Sequence, residues 1–449
     1  VLSSDLAACA ILFLLAACSA DPGGDPGGSE AEEHSALDTE ESEDRALPTD
    51  AERDAVGPGN WRRARARSSQ PDGDLTDEQR TDIRQLEAIG YATGSREAEA
   101  AGVTIHRRDK VYGGLNLFTS GHGPEAILMD MDGNELHRWR CTFEEAFPGR
   151  APERAKTTGS QWWCWMHLYE NGDVLALFSG EGIVKLNARS EILWAQRNKA
   201  HHDVAVAADG DIYVLTRKAS VIPRLHGTKP ILEDYVTVMA PDGKTKKSFS
   251  LLEAFERSPF PDAWKSELEH GDVFHSNTLV LLDGCGCERV PALKKGNLLV
   301  SMAIPDALAV LDPESEQVVW VHKGEFRTQH DVQIVGVGNL LLFDNEGLSM
   351  ASRALELDPA TGRTVWEYRG NEEAPLYSKR MGAVQRLPNG NTLITESENG
   401  RAIEVTAEGE IVWEYYTPYR GGENGEFIAS ICRMTRLAPG FPVDWIPSR

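Results

Sequence analysis

Apolar and polar residues alternate in short bursts from about residue 115 to residue 437, and turns rich in glycine separate the bursts. Two kinds of hairpin take turns. The first runs strand, Asn-Gly or Asp-Gly, strand, as in LYENGDVLALF (168–178), VAVAADGDIYVL (204–215) and AVQRLPNGNTLIT (383–395). The second ends on tryptophan: AILMDMDGNELHRW (126–139), IVKLNARSEILW (183–194), LAVLDPESEQVVW (308–320), ALELDPATGRTVW (354–366) and AIEVTAEGEIVW (402–413). Asn-Gly and Asp-Gly tolerate the positive φ of tight hairpins, so they mark antiparallel pairs. Two successive hairpins make a four-stranded unit. The terminal tryptophans recur at roughly 50-residue intervals over most of the chain, the spacing of propeller blades.

The pattern predicts an all-β fold, a six-bladed β-propeller spanning 101–440, with blades at 115–139, 161–196, 200–250, 272–323, 328–369 and 381–416. The first blade lacks a strand, and SICRMTRL (430–437) is a spare strand at the other end. Its return to the first blade would close the ring and leave no free edge. Insertions at 219–233 and 251–269, the second with helical character, are candidate rims over one face. The tryptophans at outer strand ends read as packing between blades rather than as a cofactor site.

Upstream the pattern changes. TDEQ (76–79) resembles a capping box, Ile83, Leu86 and Ile89 follow at helical spacing, and Gly90 stands where a C-terminal cap belongs. This predicts one short helix within a connector at 74–100. Residues 19–73 are expected to form a disordered acidic linker, because a segment so poor in large apolar residues cannot offset its ordering entropy. The basic run WRRARAR (61–67) reads as solvated within it. Residues 6–17 form an apolar run too short to span a bilayer. It ends in LAACS, which resembles a bacterial lipoprotein signal with Cys18 as the lipidated residue of a signal peptide at 1–18, although no basic region precedes the run. The expectation is an exported protein, periplasmic or at the outer membrane, held to the membrane by a lipid and a flexible spacer.

A net charge of −24 over 449 residues excludes a general nucleic-acid role, which needs clustered Lys and Arg. Five cysteines lie outside the leader: Cys141, Cys164, Cys285, Cys287 and Cys432. An odd number leaves at least one unpaired. Cys285-Gly286-Cys287 reads as a disulfide or a strained loop rather than a metal site. No cofactor or metal is called for, and the oligomeric state is left open.

Candidate chemistry sits at the start of three strands: AHHDVAVAADGDIYVL (200–215), FHSNTLVLLDG (274–284) and QHDVQIVGVGNLLLFDN (329–345). In a propeller the first strand of each blade lines the central channel, and alternate residues face it. Eight residues before the turn glycine stand His202 (Gly210) and His330 (Gly338), with Cys164 and Gly382 at the same place in the second and sixth blades. His275 stands nine before Gly284, and Asn277 shares its face. His167 has the wrong parity and is expected to face away, while Gly382 is expected to leave open space. A structural reading competes, in which these histidines only bond neighbouring blades, helped by Asp203 and Asp331. The chemical reading uses what imidazole does at neutral pH: one ring attacks and leaves, and another hands a proton to a departing oxyanion. Three His and an Asn without a carboxylate cluster suit transfer of an anionic group better than glycoside hydrolysis.

The pieces HHDV, FHSN, QHDVQ…LLLFDNEG and LNLFTSGHGPEAILMDMDGNELHRW, over about 103–437, resemble the bacterial arylsulfotransferase family of six-bladed propellers. The resemblance implies transfer of a sulfuryl group from an aryl sulfate to a phenol without an activated nucleotide donor, through a sulfohistidine. By motif match His330 is the nucleophile, His275 and Asn277 form a His-x-Asn pair that holds the sulfuryl group, and the His201-His202 pair supplies a further channel histidine, with parity favouring His202 as catalytic and His201 beside the substrate. Two departures stand out: Ala303 occupies about the place of a family arginine, and WWCWMH (162–167) replaces a His-rich segment. Arg433 on the spare strand is the nearest candidate for the missing guanidinium. Segments such as LDPATGRTVWEYRG also resemble quinoprotein-type propellers, so a non-catalytic scaffold and a family member with an altered substrate are the alternatives. A quinone-dependent dehydrogenase would need a calcium site and acidic and cationic cofactor contacts, for which no convincing spacing is present.

Overall fold

The computed structural model describes residues 56, 58–63, 100–152, 158–347, 351–371, 374–423 and 425–446. The expected signal segment with Cys18, the linker up to residue 55 and the helix expected at 76–90 lie outside them.

Six antiparallel sheets follow one another along the chain. From inside outwards, blade 1 is Ile431–Leu437, Leu115–Ser120, Glu125–Met129 and Glu135–Arg140. Blade 2 is Trp165–Leu168, Val174–Phe178, Gly182–Leu186 and Ile192–Gln196, and blade 3 is Ala200–Val206, Ile212–Ser220, Ile231–Met239 and Thr245–Ser250. Blade 4 is Ser276–Leu281, Leu298–Met302, Ala307–Asp312 and Gln317–Lys323, and blade 5 is His330–Val335, Asn339–Asp344, Arg353–Asp358 and Arg363–Tyr368. Blade 6 is Ala383–Arg386, Thr392–Glu396, Arg401–Val405 and Ile411–Tyr416, with Gly102–His106 added outside as a fifth strand that the hairpin pattern did not reveal.

The core is divided among the blade interfaces. Each of six apolar clusters joins two neighbouring blades, for example Leu215, Val236, Leu298 and Val300 between blades 3 and 4. Phe118, Met434, Leu393 and Trp413 join blades 1 and 6, so the ring has no open seam. Middle strands such as Val174–Phe178 and Leu298–Met302 are buried on both faces, which is why they read as apolar runs. Each fully buried Leu or Val contributes about 1.5–3 kcal/mol. The outer tryptophans pin one blade to the next. Trp139 Nε1 donates to the Gly172 carbonyl at 2.9 Å, Trp194 to Pro241 at 3.0 Å, Trp366 to Ala407 at 2.9 Å and Trp413 to Met131 at 3.0 Å.

The closing strand pairs antiparallel with Leu115–Ser120, with Leu437 opposite Leu115 and Met434 opposite Phe118. Its Arg436 is fully buried between Glu404 Oε2 (2.8 Å) and Asn116 Oδ1 (2.6 Å). Leu251–Glu256 is the helical part of the second insertion, capped by the Ser250 side chain and buried through Leu251, Leu252, Ala254 and Phe255.

Two expectations need correcting. Trp61–Arg63 is not solvated linker: it pairs with Phe427–Ala429 in a small three-stranded sheet, and Arg62 forms an ion pair with Glu398 at 3.1 Å. Arg62 gains a partner on the ring there, which offsets the cost of ordering it. No disulfide joins Cys285 to Cys287; all five described thiols are free. Their loop is instead a close backbone approach: Gly286 has φ +84°, and a Cβ there would lie 2.8 Å from Gly338 of the next blade.

Candidate active site

The inner strands slip register against their neighbours at matching places in four blades. The slips fall between Ile431 and Met434, Ala200 and Val204, Ser276 and Thr278, and His330 and Gln333. A bulge frees residues from the ladder and re-aims their side chains. Cys432, Arg433, His202, Asn277 and Asp331 are freed this way, and with His330 they line a cavity of ≈ 670 Å³. His202, Asp331 and the neighbouring His275 have left-handed backbones, with φ of +55°, +52° and +46°. For residues other than glycine each such conformation costs on the order of 1–3 kcal/mol, and here three are gathered at one place.

The three histidines expected in the channel occupy different environments: His202 and His330 line the cavity, and His275 is not among its lining residues. His330 Nδ1 lies 2.8 Å from the Thr328 carbonyl and 2.8 Å from Asn345 Oδ1. Asn345 donates its own Nδ2 to the carbonyls of Ser378 (2.6 Å) and Met381 (2.9 Å), which fixes the amide orientation. Two acceptors at Nδ1 place the proton there and leave Nε2 with a lone pair. Burial, and then the nearby His275 charge, push His330 down to about 4, against weaker opposition from the Asn345 and Thr328 hydrogen bonds.

His275 is tuned the other way. Burial alone would lower it. The hydrogen bond to Asp272 Oδ2 at 2.7 Å, with the Asp272 and Asp234 charges, outweighs burial and holds it above the ordinary value. Its ring meets that of His202 at 4.9 Å between centroids. Burial, then the His275 and His201 charges, keep His202 well below the ordinary value and therefore neutral. Neighbouring titratable groups pushed apart in this way mark an acid and a base.

The structural reading of the histidines is carried by their neighbours instead. Asp203 Oδ2 accepts the Leu279 N–H of blade 4 at 2.9 Å, and Asp331 Oδ2 accepts the Val384 N–H of blade 6 at 2.8 Å. These carboxylates tie blade to blade, and the imidazoles are left for other work. Asn277 spans the same kind of gap, donating Nδ2 to the Gln329 carbonyl at 2.7 Å. Its second amide hydrogen is not needed for that bond.

Other expected site residues fall differently. His201 does not line the cavity. It is buried, with Nδ1 2.8 Å from His202 Nδ1 and Nε2 3.4 Å from Asp234 Oδ1, so it stands behind His202. Arg433 does line the cavity, but its guanidinium is already paired with Asp331 and lies 3.7 Å from Asp203. Ala303 is buried and gives its backbone N–H to the His275 carbonyl at 3.2 Å. His167 packs between Trp165 and Tyr169, away from the cavity. Gly382 does line the cavity but leaves no spare room, because a Cβ there would overlap the Phe343 ring. Burial pushes Cys164 up to about 11 and Cys432 well above the ordinary value, so neither cavity thiol is a ready nucleophile. Among the described residues no group of three or more His, Cys, Asp or Glu is placed to hold a metal ion.

The sequence reading missed Arg217, on the second strand of blade 3, and Arg380, before the inner strand of blade 6; both line the cavity. Arg217 falls two residues past the 200–215 segment and Arg380 lies far from any histidine motif, and only the folded ring brings both to the cavity.

A family model described as arylsulfotransferase (ASST) matches residues 166–418, more than half of the chain, including His202, His275 and His330. The chain belongs to the arylsulfotransferase family. The match ends before Arg433, so the closing strand lies beyond it. Solved structures to which this chain is similar include a protein of unknown function from Bacteroides caccae, at 11% identity and TM-score 0.46 over 72% of this chain and 98% of that one. A streptogramin B lyase aligns at 12% identity and TM-score 0.40 over 77% and 96%. BamB from Moraxella catarrhalis aligns at 10% identity and TM-score 0.32 over 74% and 85%. No curated protein matches the chain at a significant level.

Proposed function

We propose that this arylsulfotransferase moves a sulfuryl group from an aryl sulfate to a phenolic acceptor in two displacements through His330. The observation that carries this reading is the fixed tautomer of His330: Nδ1 is held as a donor by Thr328 and Asn345, and the ring lines the cavity with Nε2 unprotonated. In the first displacement the Nε2 lone pair forms a bond to sulfur as the bond from sulfur to the aryl oxygen breaks. The departing aryloxide takes a proton from His275, whose Nδ1 is held by Asp272 and whose raised pKa keeps it an available acid. In the second, the phenol gives its proton back to His275, its oxygen attacks sulfur, and the bond to Nε2 breaks. His202 stays neutral beside His275 and borders the path of the transferred group. Asn277 offers its spare amide hydrogen to the sulfuryl oxygens.

The test is mass spectrometry of the peptide containing His330 after incubation with an aryl sulfate and no acceptor, worked up at alkaline pH. Sulfuryl mass on His330, absent in His330→Ala, is the expected result. Wild-type protein that transfers nothing from any of several donors would sink the reading. We further propose that Cys18 carries a lipid and holds the domain outside the cytoplasm, on the strength of the sequence pattern around it.

A further inference from the structure

The cavity is cationic in a chain that is strongly acidic. Lys199, Arg217, Lys218, Arg380 and Arg433 line it, against Glu181 and Asp331, while the chain as a whole carries −24. Concentrating one sign of charge in a walled cleft draws in the opposite sign. The cations are not equivalent, however. Arg433 is spent on Asp331, and Lys218 and Arg380 are exposed at the rim. Arg217 is partly buried, and among the described residues its side chain makes no hydrogen bond and no ion pair.

That isolation is built into the strand. The residue directly across the ladder from Arg217 is Asp234, the obvious partner. Asp234 is turned elsewhere: Oδ2 accepts the Ser276 N–H at 2.9 Å, and Oδ1 faces His201 Nε2 at 3.4 Å. Space for the guanidinium comes from Gly180, which lines the same cavity. A Cβ at Gly180 would overlap Arg217 Nη2. A partly buried guanidinium with no partner is costly unless something else completes it. The Arg217 charge also reaches the reacting groups, where it opposes protonation of both His202 and His275.

We propose that Arg217 is the guanidinium that grips the sulfate oxygens of the bound donor and of the sulfuryl group in transit. The proposal rests on the sulfuryl-transfer reading and names the residue that completes its anion site. Arg217 presents planar N–H donors that suit two oxygens of one sulfate at once. It stands on the second strand of blade 3, next to the inner strand that carries His202, so both side chains reach the cavity from one blade. The sulfuryl group keeps its negative charge while its bonds exchange, and a fixed cation stabilises it throughout.

The experiment compares wild type with Arg217→Gln and Arg217→Lys in two measurements: kcat/KM for aryl sulfate turnover, and protection against thermal unfolding by inorganic sulfate. Arg217→Gln is expected to lose roughly 10²–10³-fold in kcat/KM and to lose the sulfate protection. Arg217→Lys should recover part of both. If Arg217→Gln keeps both within about twofold, the proposal is wrong even though transfer through His330 stands. If wild type transfers nothing but sulfate still protects it through Arg217, the sulfotransferase reading fails and the anion site survives. If sulfate protection does not depend on Arg217, the site is elsewhere. Should Arg217→Gln fail to fold, Gly180→Ala, which displaces the guanidinium, takes its place in both measurements and is held to the same outcomes.

Discussion

Replacing Asp272 by asparagine isolates proton transfer from the rest of the reaction. Asp272 Oδ2 lies 2.7 Å from His275 Nδ1, and Oδ1 accepts the His275 backbone N–H at 3.0 Å. Asparagine keeps the size and one acceptor but removes the charge. A hydrogen bond to a charged partner contributes about 1.5–3 kcal/mol, and one pKa unit corresponds to about 1.36 kcal/mol. The His275 pKa should therefore fall. In the wild type that pKa is raised, so the imidazolium acid is present below it and is lost as pH rises through it. In Asp272→Asn the loss moves to lower pH. The acidic limb belongs to His330, which must be neutral to attack and is pushed down to about 4; it should move far less. The assay is single-turnover release of phenol against pH, over aryl sulfates whose phenols differ in acidity. Weakly acidic phenols need the proton most, so the loss should grow with leaving-group pKa, toward about 10²–10⁴-fold. An unmoved alkaline limb, with the same loss for every leaving group, would refute the assignment of His275 as the acid. Folding stability carries the same signature. A raised His275 stabilises the fold below its unfolded pKa, and that contribution disappears as pH rises through the folded value.

Gly382→Ala places a methyl against the buried Phe343 ring and should cost about 1–3 kcal/mol. Urea denaturation measures it, and an unchanged midpoint would mean that the contact between blades 5 and 6 yields freely. Cys18→Ser should release the protein from the membrane fraction with its specific activity unchanged, and retention of the variant in that fraction would count against the lipid anchor.

The blades were legible because their code is local. A turn pair, a period of two and a terminal tryptophan all fall within about 15 residues of one another, and each is set by short-range geometry. His202 and His330 were legible for the same reason, since a fixed offset from a turn glycine fixes their place on the inner strand. The parity rule separated His167 from the cavity. It could not show that His201 lies behind His202, because a bulge and a left-handed backbone interrupt the alternation there. Arg217 and Asp272 were not legible at all. Arg217 acquires meaning only when Asp234 bonds to Ser276 and His201 and leaves it unpartnered. Asp272 acquires it only when the backbone folds His275 back over it. Gly382 was read as a gap because its crowding comes from Phe343, some 40 residues earlier in the chain.

The closing strand has a consequence for the timing of synthesis. Leu115 meets Leu437 only after the chain between them has been made, and pairings this remote in sequence form late. Arg433 and Cys432, two walls of the cavity, ride on that last strand. A nascent chain can stack five blades and still have a chamber open to water along one side. A polypeptide cut short before residue 431 would lack both of those walls and would leave Leu115–Ser120 with an unpaired strand edge.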